Sequence, residues 1–211
     1  MAEGQGPFVM KPTGDNVGVP RTAASVAPPV LDPVLAMVER IDRTVRRIRP
    51  VRPGGLLGIE QHRHRGPALT LADGTLIGRG DSTPIIHMDN RRVRDVAGKD
   101  WQRRGLTLAR EDLRALAVWH AAQPARQRPV AYGAVMIMAP LARRIGFEVR
   151  DRRRTPFGRL EDWYLRSLLA RWARGGRERL RRGHAPLVTH EVWLSGGELL
   201  RRYASGSPPP E

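Results

Sequence analysis

The chain has 211 residues, of which 37 are basic and 21 acidic, a formal net charge of +16, and it contains no cysteine. That length suits one domain with or without tails. The missing thiols exclude a disulfide scaffold, a thiolate metal site and a cysteine nucleophile. No run of 18 apolar residues occurs, so no apolar helix of membrane-spanning length is expected. Lys11 and Lys99 are the only lysines, so the positive excess is almost pure arginine. A field of that sign attracts phosphate, anionic lipid headgroups or acidic polymers; the bland alternative is a set of solvated arginine-rich faces.

Residues 1–29 read as a disordered tail, punctuated by Gly4, Gly6, Pro7, Pro12, Gly14, Gly18, Pro20, Pro28 and Pro29. The stretch lacks the basic start and apolar core of a secretory signal, so a cytoplasmic location is the expectation. Residues 30–204 read as a single domain and 205–211 as a second flexible tail. The domain opens on a helix capped by Asp32, with Pro33 in its first turn. Val34, Val38, Ile41, Val45 and Ile48 recur at spacings of four and three, which predicts one buried stripe ending before Pro50 and Pro53.

A β-rich block follows. Leu56 to His64 reads as a strand, and Leu69 and Leu71 lead to Asp73-Gly74, a favoured two-residue hairpin turn that would set Leu71 opposite Leu76. Pro84 to Met88 is a further short strand. Together these predict a small antiparallel sheet with a hairpin near the N-terminal half. The remaining elements are a helix within Thr107–Ala121, a strand from Val130, a helix over Pro140–Ile145 and a strand at Phe147–Arg150. A strong helix over Phe157–Arg174, a last strand at Glu191–Leu194 and a short helix over Glu198–Tyr203 complete the chain. Strands interleaved with amphipathic helices make the class α+β.

Alternation on a strand puts Glu60, His62 and His64 on one face. Two imidazoles one residue apart can share a zinc ion, and His87 on the nearby strand is a candidate third ligand. The other readings of the same residues are a solvated strand face and a metal-free polar pocket comprising Glu60, His62, His64, Asp81, His87 and Asn90. Asp81 after Gly80 fits a turn carboxylate, and Asn90 fits a helix cap. Ser82 lacks the Gly-x-Ser-x-Gly setting of a nucleophile elbow. Arg150, Arg152, Arg153 and Arg154 are candidate anion contacts, with a solvated loop as the alternative. No phosphate loop, dinucleotide fingerprint or zinc-finger spacing is present.

The ordered series His62-x-His64-x-Gly66-Pro67, Leu71-x-Asp73-Gly74-Thr75-x-Ile77, Gly80-Asp81 and Ile86-His87-Met88-Asp89-Asn90 resembles the YkoP-like domain family of bacteria. Gly146-Phe147-Glu148-Val149, Glu191 to Ser195 and Glu198 to Tyr203 extend the resemblance, which covers about residues 33 to 203. It implies a domain found alone or appended to polysaccharide deacetylases, alongside enzymes of envelope glycans. It carries no established reaction and no catalytic roles. The family pattern often has tyrosine where His64 stands, which counts against a histidine zinc site. The resulting expectation is an accessory or binding protein for an anionic or glycan envelope precursor, with possible contact to an anionic membrane. The alternatives are an enzyme with a histidine general base and an arginine-driven nucleic-acid binder.

Overall fold

The computed structural model describes residues 44–96, 101–137, 139–152, 162, 164–167 and 189–204. In chain order these form β1 (Arg49–Pro50), β2 (Leu57–Glu60), β3 (Leu69–Thr70), β4 (Leu76–Ile77), β5 (Ile85–Met88), α1 (Asn90–Val96) and α2 (Trp101–Ala122). There follow β6 (Ala131–Met136), α3 (Ala139–Arg144), β7 (Glu148–Asp151), β8 (His190–Ser195) and α4 (Gly196–Tyr203). Both tails, most of the helix opened by Asp32 and most of the Phe157–Arg174 stretch lie outside the described residues.

The α+β class holds, with a larger sheet than the sequence suggests. Six strands from both halves of the chain join in the order β1-β2-β5-β6-β8-β7, and β3 and β4 form a separate hairpin. All neighbours in the large sheet are antiparallel except β5 and β6. That one parallel pair encloses α1 and α2, the crossover that parallel neighbours require.

Period-two alternation divides the sheet into two unlike faces. One face presents Leu57, Ile86, Tyr132, Ala134, Val192 and Leu194 to the helices, where Leu113, Leu116 and Ala117 of α2 and Leu199 and Tyr203 of α4 complete the main core. The register places Glu60, Ile85, His87, Gly133, Trp193 and Glu148 on the other face. There the hairpin supplies Leu71 and Ile77, which pack with Ala131 and Trp193. Gly133 makes this possible. A Cβ at that position would lie 3.1 Å from Trp193 Cζ3 and 3.2 Å from Ile85 Cδ1, so the indole occupies space that a side chain would fill.

Three local expectations need correction. The first helix stops early: Thr44 and Val45 are helical, Arg47 has φ of 52°, and Arg49 and Pro50 pair with Ile59 and Gly58. Val45 is therefore 75% exposed rather than part of a buried stripe, and Pro50 sits on an edge strand, where its missing N–H is tolerated. The hairpin loop has three residues, not two. Thr70 faces Leu76, Leu71 N–H donates to Thr75 O, and Gly74 N–H donates to Leu71 O with Gly74 at φ +85°. A turn closed by a left-handed glycine shifts the register by one, so Leu71 is buried and Leu76 is 62% exposed. The cap of α1 is Asp89, whose Oδ1 accepts from Arg91 N and Arg92 N, while Asn90 is the first helical residue.

Candidate functional site

The polar face of the sheet is built by the ladder between β2 and β5. Gly58 faces His87 and Glu60 faces Ile85. Pairing continues past β2: Thr83 N–H donates to His62 O, Arg63 bridges Ser82, and His64 N–H donates to Asp81 O. The register thus brings Glu60 and His87 together diagonally, with His87 Nε2 2.9 Å from Glu60 Oε2. Arg46 Nη1 lies 3.4 Å from the same oxygen. The Glu60 and His87 side chains are 18% and 24% exposed, so both keep some contact with solvent. A carboxylate on one ring nitrogen holds the imidazole in a fixed orientation, and the Arg46 guanidinium adds a cation beside the carboxylate.

The structure places the other candidates as follows. His64 Nε2 lies 2.8 Å from Pro67 O, and the ring stands edge-on to Trp193 at 6.0 Å. His62 faces Thr83, four residues along β2 from the position that faces His87, a backbone separation of about 13 Å at strand spacing. His87 therefore stands apart from His62 and His64 and joins Glu60 instead. Among the described residues, no three His, Cys, Asp or Glu side chains gather in a way that could hold a metal ion. Asp81 Oδ2 accepts from Gly78 N at 2.6 Å, the work of a turn residue. Asn90 Nδ2 lies 3.4 Å from the Tyr164 hydroxyl, so it is engaged there, and nothing shown joins it to the Glu60–His87 pair.

Of the arginine candidates, Arg150 is committed locally. Its Nε donates to Glu148 Oε1 at 2.6 Å and its Nη2 donates to Thr70 O, tying the hairpin to the sheet. Arg152 is half-buried, and Arg153 and Arg154 lie outside the described residues. The hairpin is further held by Ala72 N–H on Glu148 Oε2 at 2.6 Å and by the Ser195 hydroxyl, which donates to Asp73 Oδ2. Burial pushes the Asp73 carboxyl up, but the hydrogen bonds from Ser195 and Thr75 outweigh it and hold the group below its usual range.

Sequence reading misses two polar atoms on this same face. Trp193 Nε1 and Thr83 Oγ1 are buried and make no hydrogen bond to the described residues. Thr83 was legible as the next residue of the Asp81, Ile85, His87 alternation. Trp193 was legible only as an apolar strand residue. Buried polar atoms without partners are uncommon in folded proteins.

A mixed sheet with helices on one face and a docked hairpin beside a polar patch on the other makes this an α+β domain with its candidate polar residues on the face opposite the helices. The YkoP domain model matches residues 31–203, and the chain belongs to that family. Comparison with curated proteins gives no match, and comparison with solved structures gives none. Among the described residues, no helix is long and apolar enough to cross a membrane.

Proposed function

We propose that this domain is an accessory or binding protein for an anionic sugar of envelope assembly, such as a hexose phosphate, taken up in the cytoplasm at the face formed by Glu60, His87 and Arg46. The observation that carries this reading is the partly exposed Glu60–His87 pair with a guanidinium beside it. A carboxylate accepts hydrogen bonds from sugar hydroxyls, and a guanidinium matches a phosphate with parallel donors.

The same pair supports a second reading. A histidine held by a carboxylate is the arrangement of a general base with its orienting group, so turnover of the bound sugar is the alternative function. Calorimetric titration with glucose 1-phosphate, glucose and inorganic phosphate separates these possibilities from no function at this face. The sugar phosphate should bind at least tenfold more tightly than either half, and Glu60→Gln and His87→Ala should each weaken it at least tenfold with melting little changed. Product formation in the same mixtures would select the enzyme. Equal binding by the wild type and both variants would remove the site.

A further inference from the structure

Arg103, Arg110 and Arg114 lie on one stripe of α2. At about 100° and 1.5 Å per residue, spacings of seven and four keep them within about 20° of one line, about 10 and 6 Å apart along the axis. Arg103 and Arg114 are exposed, and Arg110 is half-buried with an Nε that makes no hydrogen bond. None of the three forms an ion pair among the described residues. The acids of the same helix are held elsewhere, since Glu111 and Asp112 both pair with Arg52.

Helix α4 packs along α2 and brings Arg201 and Arg202 to the stripe. Tyr203 reports how near these charges stand to one another. Burial pushes its hydroxyl pKa up, and the guanidinium groups of Arg110, Arg202 and Arg114 pull against that push. The Arg202 side chain also crosses Gly146, where a Cβ would lie 2.7 Å from its Cδ. Glu198 is the acid of α4, and it pairs with both Arg201 and Arg202. Five arginines of two packed helices therefore meet one carboxylate, and the three on α2 keep no counterion of their own.

We propose that this seam of α2 and α4 binds the phosphate backbone of double-stranded nucleic acid without reading its sequence. A guanidinium matches a phosphate with paired donors, and a duplex presents a charge about every 1.7 Å of its axis, so a fixed row of cations meets phosphates on any sequence. A single strand is held mainly by exposed aromatic rings, whereas Tyr203 is 7% exposed and its hydroxyl donates to Ile145 O. A membrane surface needs an apolar face to insert, and Val118 is the one large apolar side chain exposed on α2, α3 and α4 among the described residues. The surface is independent of the sugar-binding reading, because α2 and α4 cover the opposite face of the sheet from Glu60 and His87.

The test uses the full chain and the fluorescence anisotropy of a labelled DNA duplex of about 20 base pairs, titrated from about 50 to about 200 mM salt. The three unpaired guanidinium groups, at about 0.9 each, predict a slope of about −3 for log affinity against log salt. The double variant R103E/R114E changes only exposed side chains. It should melt as the wild type does, lower duplex affinity at least tenfold at the lowest salt and reduce the slope by about 2. R65E/R79E makes the same change of net charge at exposed positions flanking the hairpin and should keep the wild-type affinity within threefold. Glu60→Gln should leave duplex binding unchanged. Equal losses in the two double variants would reduce the effect to net charge and overturn the proposal. So would a slope near zero, tighter binding of a single strand of the same length, or binding to phosphatidylserine-containing vesicles with none to the duplex.

Discussion

Asp112 holds the start of β2 to the middle of α2, and its removal tests the packing argument quantitatively. The side chain is fully buried, and its carboxylate accepts from Leu56 N at 2.6 Å, Leu57 N at 2.7 Å and Arg52 Nε at 2.5 Å. Asp112→Ala strands two buried backbone donors, at about 1–3 kcal/mol each, and removes the partner of a half-buried guanidinium. Arg52 is 28% exposed and keeps Glu111 at 2.6 Å, so its share is small. The total comes to about 4 kcal/mol, in line with breaking a buried ion pair from one side. For a domain of this size that corresponds to a fall in melting temperature of about 8–16 °C. Thermal denaturation followed by circular dichroism at pH 7 checks it, with Arg52→Ala expected to lose less than half as much. A melting temperature for Asp112→Ala within 3 °C of wild type would refute the reasoning, because the two N–H groups would then have found other partners.

His120 is buried with its Nδ1 2.8 Å from the Tyr132 hydroxyl, and burial, aided by the Arg128 charge, holds its pKa below 6.5. The unfolded chain therefore takes up that proton more readily, so this contribution is intact above about pH 6.5 and declines as pH falls towards the lower folded value. Melting temperature should drop between pH 7.5 and 5.5, and His120→Gln should flatten the decline. An unchanged slope in that variant would assign the effect to other groups. The carboxyls of Asp73 and Glu198 are held below their usual range, so their loss belongs to a separate window below about pH 4. Ser195→Ala removes both the hydroxyl bond to Asp73 and the cap on Glu198 N, and should cost about 1–2 kcal/mol. Hydrogen exchange at Leu71 and Gly74 should quicken in the same variant; unchanged exchange there would show that the hairpin is held without Ser195.

Much of this arrangement was legible in the sequence where a single short-range rule decides. The alternation of Glu60, His62 and His64 follows from the strand period, and the expected helix over Pro140–Ile145 and strand at Glu191–Leu194 fall on α3 and β8. Pairing across long loops was not legible. Residues 61–84 separate β2 from β5, and nothing local decides that His87 meets Glu60 rather than His62. The hairpin register turned on one residue, since Asp73-Gly74 suits a two-residue loop while the structure uses Gly74 as the left-handed end of a longer one. Asp112 was missed because an acid beside Leu113 on an amphipathic helix reads as part of the solvent face. Only the approach of Leu56 and Leu57 reveals it as a buried acceptor.

The ring nitrogens of the six histidines, labelled with ¹⁵N and followed by NMR during titration with glucose 1-phosphate, test the central claim most directly. The binding face predicts a saturable shift of the His87 signals, no shift at buried His120, and loss of the His87 response in Glu60→Gln. Equal small drifts at every exposed histidine, or a His87 signal that stays still while glucose 1-phosphate binds elsewhere, would contradict it.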